Sequence, residues 1–295
     1  MKYYLLGLSI LLITGCKDNK QPEQQSDNVI FDSISLKEMV MNDSITSIDS
    51  LVVDDWEKGN QSLKREVLRD LPDDRLKLQN LLISKSFYKE EDQYVLDFKY
   101  PLLNVQLDPE YNVFNDYIND HYLDIQGAEA QILEDKDWLC DTLNANNYRE
   151  RRRVDYKVYQ SMDDLLSLVF YRENYYSGAM HSSYYFDCIN FDLKHHEFMG
   201  YDEVFTKNSE EILFATINQI LLESIETGDE YYDCWELSLG DFNEYKDNFV
   251  IGNKFVEFYF DDCVICPAYT GTFSVEIPKE RIRDILKKGQ NESDQ

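Results

Sequence analysis

The chain has 295 residues, an ordinary apolar share with Tyr leading the aromatics, and 57 acidic against 29 basic side chains, for a formal net charge of −28. This length suits one large domain or two small ones, with a core that needs no staples. The negative field excludes nucleic acid and anionic headgroups as partners and attracts basic ones, although acidity of this size also serves plain solubility.

Met1-Lys2 is a short basic start, Tyr3 to Ile13 is apolar, and the run closes on Ile13-Thr14-Gly15-Cys16, the pattern of a bacterial lipoprotein signal. The apolar stretch is too short to span a bilayer as a mature helix. It predicts a signal peptide over residues 1–15, cleavage before Cys16 and a diacylglyceryl group on the Cys16 thiol. An ordinary secretory signal with a chance cysteine is the competing reading. A lipid on Cys16 anchors the protein in the membrane of the cell envelope, with the outer membrane expected, on its periplasmic or exposed side. Residues 1–15 carry only Lys2, so the mature chain keeps 57 acidic against 28 basic residues. Residues 16–28 are polar without an apolar period and read as a flexible tether. Residues 29–80 form an accessory segment of mixed pieces, helical on both sides of Pro72 over Ser62 to Leu82. The ordered domain is expected over 81–288, with a disordered tail at 289–295.

Within the domain, Tyr94 to Tyr100 alternates as a strand stopping at Pro101. Asn112 to Trp138 places Phe114, Tyr117, Ile118, His121 and Tyr122 near one stripe of a single long helix. Arg151 to Tyr159, Leu165 to Tyr171 and Ser183 to Asp192 read as an antiparallel meander. Asn208, with Glu211 three residues on, predicts a capping box opening a second helix. Phe249 to Phe260 and Cys263 to Ile277 read as strands, and Pro278 suits the first turn of a last helix. The fold class is α+β, an antiparallel β-sheet with helices packed mainly on one face.

With Cys16 lipidated, Cys140, Cys188, Cys234, Cys263 and Cys266 remain, an odd number that leaves at least one thiol unpaired in an oxidising compartment. Cys263 and Cys266 are three apart on a strand-like run and face opposite sides, poor geometry for a redox pair. Without a second such pair zinc is weakly supported, and small buried apolar residues are the expectation for several of these cysteines. No metal and no cofactor is expected.

Two loops stand out, Tyr175-Tyr176-Ser177-Gly178-Ala179-Met180-His181-Ser182 and Pro267-Ala268-Tyr269-Thr270-Gly271. In both, small residues let the backbone turn beside aromatics, as recognition loops do. The candidate binding residues are Tyr175, Tyr176, Ser177, Gly178, His181, Pro267, Tyr269 and Gly271. His181 reads as a strut tying its loop to nearby backbone, ahead of a ligand contact. The succession Tyr176-Ser177-Gly178 with His181, Asn190-Phe191-Asp192-Leu193, Asp202-Glu203-Val204-Phe205, Phe258-Tyr259-Phe260, Pro267, Gly271 and Val275-Glu276-Ile277-Pro278 resembles the PdaC/RsiV-like envelope domain. That family is named after a peptidoglycan deacetylase and a lysozyme-sensing anti-sigma factor. The resemblance runs from about Leu81 to Lys288. Ala179 and Ser182 replace two glycines of the family's first loop. Cys263 to Ala268 replace a segment that carries an acidic residue and two tyrosines in many members.

The deacetylase chemistry of the first namesake needs a His-x-x-x-His pair and an Asp, and no such histidine pair occurs here; nor does a Gly-x-Ser-x-Gly, a His-Glu-x-x-His or a P-loop. The resemblance therefore implies a non-enzymatic, lipid-anchored envelope protein that binds a basic extracellular partner such as a lysozyme-like muramidase. A peptidoglycan or glycan binder, with Tyr171, Tyr175, Tyr176, Tyr184 and Tyr185 stacking on sugar rings, is the alternative. A cell-wall hydrolase comes third, favoured by a substrate-sized cleft holding two carboxylates at glycosidase spacing.

Overall fold

The computed structural model describes residues 64–137, 149–162, 164–176, 179, 181–230 and 232–287. The signal and Cys16, the tether, residues 29–63, Trp138, Cys140, Ser177, Gly178 and the tail lie outside the described residues. No helix among the described residues is long and apolar enough to cross a membrane.

Among the described residues nine strands form two sheets. The larger has the order β1 (Leu82–Glu90), β2 (Tyr94–Leu103), β3 (Glu150–Met162), β4 (Leu165–Tyr175), β5 (Ser183–Asp192) and β6 (Glu197–Phe198). Its β3–β4–β5 core is the antiparallel meander expected from the alternation, extended at both ends, with Val154 opposite Arg172 and Val169 opposite Cys188. One pair departs from the antiparallel expectation: β2 runs parallel to β3 over Tyr94–Phe98. A parallel pair needs a long crossover, and the crossover here carries helices α2 (Asn112–Tyr122) and α3 (Ile125–Asp137). The smaller sheet is the hairpin-built β7 (Phe249–Ile251), β8 (Phe255–Tyr259) and β9 (Ser274–Pro278).

The α+β class holds, with helices and the second sheet sharing the burial of the first. Leu166, Leu168 and Phe170 on β4 join Phe114, Ile118, Tyr122 and Ile132 of α2 and α3 in one cluster. On the opposite face, Val169, Tyr184 and Phe186 meet Val250, Tyr259 and Phe273, together with Leu68 from a helix over residues 64–70, here α1. Both faces of β4 are thus covered, which is why residues 165–170 are buried without alternation. The third cluster packs Leu213, Ile217 and Leu221 of α5 (Glu210–Thr227) on the far side of the small sheet, with Phe242 of the short α6 (Leu239–Tyr245). A helical turn at Tyr201–Val204, here α4, supplies Tyr201 and Val204 to the same cluster.

Several expected boundaries move, each for a local reason. Strand β2 continues through Pro101 to Leu103, because β3 pairs only as far as Phe98 and Pro101 sits where the strand has a single neighbour. The expected long helix breaks at Leu123-Asp124, where Asp124 Oδ1 accepts from the Gly127 N–H at 2.8 Å and caps α3. Asn208 has φ 62°, and the cap of α5 is Ser209, whose hydroxyl donates to the Thr206 carbonyl, so the expected Asn208–Glu211 capping box does not form. At its other end α5 stops on Gly228, φ 81°, a left-handed position that glycine fills without a Cβ penalty. Phe249 to Phe260 is a hairpin, turning where the Gly252 N–H donates to the Phe255 carbonyl. The segment Cys263–Phe273 is loop, with Cys263 at φ 67°, and only Ser274–Pro278 is strand. Pro278 ends that strand ahead of a 3-10 turn over Lys279–Ile282, rather than sitting inside a helix.

Candidate functional site

The cysteines organise the second loop. Cys234 and Cys266 form a disulfide, and Cys263 is disulfide-bonded as well, so the expectation of small buried apolar residues fails for these three. Cys188 is the free thiol among the described residues, and burial raises its pKa well above the ordinary value. The wall opposite the loop is tied to it through Trp235, whose N–H donates to the Ile265 carbonyl and whose ring N–H donates to the Val264 carbonyl at 2.7 Å. Thr270 closes a turn on the Pro267 carbonyl through both its N–H, 3.0 Å, and its hydroxyl, 2.9 Å. Tyr269, 40% exposed, donates its hydroxyl to Asp233 at 2.7 Å. Gly271 is half-buried, and beside it the Thr272 hydroxyl donates to Glu230, whose carboxyl is raised by burial.

The first loop leaves β4 at Tyr175 and is anchored at its base by Arg152. This guanidinium, 7% exposed, donates to the Tyr175 carbonyl at 3.2 Å, pairs with Glu150 at 2.8 Å and lies 4.2 Å from the Tyr176 ring centroid. The Tyr176 carbonyl accepts from the Ala179 N–H. His181 Nδ1 lies 3.2 Å from the carbonyl of the adjacent Ser182, and the imidazole opposes the burial-driven rise at Asp262. Ser182 is buried and donates to Glu173. Glu173, 1% exposed, also accepts from Arg65 and Arg153. The base of the first loop therefore meets the start of the second at Asp262, while the Pro267–Gly271 turn is held by residues 230–235.

A row of side chains joins the two sheets beneath the loops. Strand β5 turns alternate N–H groups away from β4, and each finds an acceptor on the hairpin side. Asp262 takes the Tyr184 N–H at 2.8 Å, Asp261 the Phe186 N–H at 2.8 Å and Asn248 Oδ1 the Cys188 N–H at 2.7 Å. The Asn248 amide returns two bonds, to the Phe186 and Tyr259 carbonyls. Burial is the main cause that raises both aspartates; Asp261 is pushed up to about 6, while Lys64 and the Tyr184 N–H oppose the rise at Asp262. Lys64, on α1, pairs with Asp262 and is itself buried.

Next to this row a cleft of about 360 Å³ opens between α2, the outer edge of β5 and α6. Tyr117, Tyr122 and Tyr245 form part of its wall, and Asp187, Glu244, Asp247 and Asp261 supply carboxylates. Asp187 pairs with Arg172, Asp247 accepts from the Tyr201 N–H at 2.6 Å, and Tyr245 is bonded to Asp261. Sequence reasoning singled out neither this cleft nor Arg152; the one local signal was the Arg151-Arg152-Arg153 run in an otherwise acidic chain. Among the described residues, Glu230, Cys234 and Cys266 alone converge closely enough to resemble a metal ligand set, and there the two sulfurs are bonded to each other.

No family model matches the chain. It is 24% identical over 143 residues to the peptidoglycan-N-acetylmuramic acid deacetylase PdaC of Bacillus subtilis, covering 48% of this chain and 30% of that protein. The chain thus spans less than a third of the curated relative's length. The resemblance to PdaC read from the loop motifs is met by this match. Among solved structures, a DUF3298-family protein of Bacteroides fragilis is 16% identical with a TM-score of 0.46, over 70% of this chain and 94% of that one. A DUF3298-family protein of Pseudomonas aeruginosa is 14% identical with a TM-score of 0.48, over 72% and 98%.

Proposed function

We propose that this is a non-enzymatic, lipid-anchored protein of the cell envelope that binds a basic extracellular protein, with a lysozyme-like muramidase as the leading candidate. The loops Tyr175–Ser182 and Pro267–Gly271 are the contact, through Tyr175, Tyr176, Ser177, Gly178, His181, Pro267, Tyr269 and Gly271. The observation that carries this reading is the way the second loop is held. A disulfide, two tryptophan bonds and a doubly closed turn present the half-exposed Tyr269 on a stiff support. Rigid aromatic anchors lose little entropy on binding, which suits recognition of another protein. The net charge of −28 supports a basic partner. The match to a peptidoglycan deacetylase supports an envelope setting, and Cys16 supplies the anchor. Against catalysis, Asp261, whose carboxyl burial pushes up to about 6, is tied to the Phe186 N–H and Tyr245, and Asp187 to Arg172.

Calorimetry of the chain with a basic lysozyme at low and at moderate salt tests the proposal. Saturable binding that weakens with salt and is lost in Tyr269→Ala is expected. Absence of saturable binding at both salts removes the muramidase as the partner. Labelling with radioactive palmitate, abolished in Cys16→Ser, tests the anchor separately.

A further inference from the structure

We propose that the cleft between α2, the edge of β5 and α6 is a second binding site, built to take the ammonium or guanidinium end of an organic cation. It is separate from the two loops and does not rest on their role. Its lining holds four carboxylates, Asp187, Glu244, Asp247 and Asp261, and no lysine or arginine. Arg172 pairs with Asp187 and its charge also reaches Asp261, so Glu244 and Asp247 remain with no ion-pair partner among the described residues.

The carboxylates do not form a metal site. Among the described residues no three of them bring oxygens within 4.8 Å of one another. Spread around a space of about 360 Å³, they suit a cation that donates several directed N–H bonds, on a stem the length of a lysine or arginine side chain.

Tyr122 points to a ligand independently. Its side chain is only 8% exposed and lines the cleft. Phe170 stacks on its ring at 4.1 Å, and the Arg172 guanidinium lies 5.5 Å from the ring centroid. Its hydroxyl has no hydrogen-bond partner among the described residues and, unlike the ring, is not enclosed, so it opens onto the cleft. A phenol oxygen facing a carboxylate-lined space is an acceptor for an incoming N–H. The covered ring argues against a stacked sugar, as does Tyr117, whose ring stacks on His121 at 4.0 Å. The cation is either a free amine or a basic side chain of a polypeptide, and the chemistry is the same.

The test is calorimetry of the full chain with agmatine, with Nα-acetyl-lysine methylamide and with a short capped peptide bearing one central lysine, at about 0.15 M salt. Saturable one-to-one binding is expected, weakened about three- to tenfold by Tyr122→Phe and by Glu244→Gln. Tyr122→Phe keeps the ring stack and Glu244 is exposed, so both variants retain the fold. Glu211→Gln with Glu226→Gln, exposed and outside the cleft, should leave affinity unchanged. Binding of the peptide but not of the free amines assigns the cation to a polypeptide, and equal binding assigns it to a free amine. Lack of saturation with all three probes overturns the proposal. So does an equal loss in the Glu211/Glu226 control, which would mark diffuse attraction to an acidic protein.

Discussion

Replacing Asp261 by Asn should make the protein more stable at neutral pH and leave it almost unchanged in acid. Burial lifts the Asp261 carboxyl from 3.8 to about 6, with Asp187 and Asp262 adding to the rise and the Phe186 and Tyr245 hydrogen bonds opposing it. Well below 3.8 the group is protonated in folded and unfolded chains alike and contributes no difference. As pH rises, the unfolded chain releases its proton first and the folded chain holds on until about 6. The unfolded state is favoured increasingly across that window, and the penalty is constant above it. At 1.36 kcal/mol per unit, the full penalty is about 3 kcal/mol. The Asn oxygen still accepts the Phe186 N–H, and the Asn amide can donate to the Tyr245 oxygen, so the variant loses the ionisation but keeps the join. For a domain of this size the gain corresponds to about 6–12 °C in Tm at neutral pH. Urea unfolding of both proteins at intervals from about pH 3 to about pH 8 reads the effect as a difference, in which the other carboxylates cancel. A stability difference that stays flat between pH 4 and pH 6, or that turns in favour of the native chain as pH rises, refutes the assignment.

Removing the Cys234–Cys266 disulfide by a double Ala substitution should cost about 4 kcal/mol, from the closure entropy of a loop with a sequence separation of 32, read by urea unfolding without reductant. Asn248→Ala deletes three side-chain bonds and strands the Cys188 N–H; about 2–3 kcal/mol of stability should disappear, and the Cys188 amide should exchange with solvent far faster than in the parent. Arg152→Lys forfeits the planar contact with the Tyr176 ring, so exchange at the Ala179 amide, which closes the turn on Tyr176, should accelerate several-fold while the global unfolding midpoint moves by about 1 kcal/mol or less.

The meander was legible because β3, β4 and β5 are bounded by short polar connections and rich in β-branched and aromatic residues. Strand β1 was not. Ile83-Ser84-Lys85-Ser86 is exposed on an outer strand, so its sequence carries no apolar alternation. The helix over 112–138 was misjudged because a continuous apolar stripe outweighed one capping aspartate at position 124. In the candidate site the loops could be located from their glycines and tyrosines, but what holds them could not. Asn248, Asp261 and Asp262 bond to backbone atoms 60 to 78 residues away in sequence, and no local pattern announces such a partner. The cleft escaped for the same reason: its carboxylates come from β5, α6 and the end of the hairpin, and each alone looks like ordinary surface charge.

The side-chain row along β5 also governs how this sheet can meet other chains. A strand edge with free N–H groups is a template for strand addition by a neighbouring molecule. Here the groups that would receive a new strand at Tyr184, Phe186 and Cys188 are already taken by two carboxylates and an amide, which fill the edge without extending the sheet. The opposite margin, β1, carries Lys85 and Lys89, charges that discourage pairing. At high local concentration the sheet is then guarded against edge-to-edge association at both margins, by occupied donors on one side and by lysines on the other.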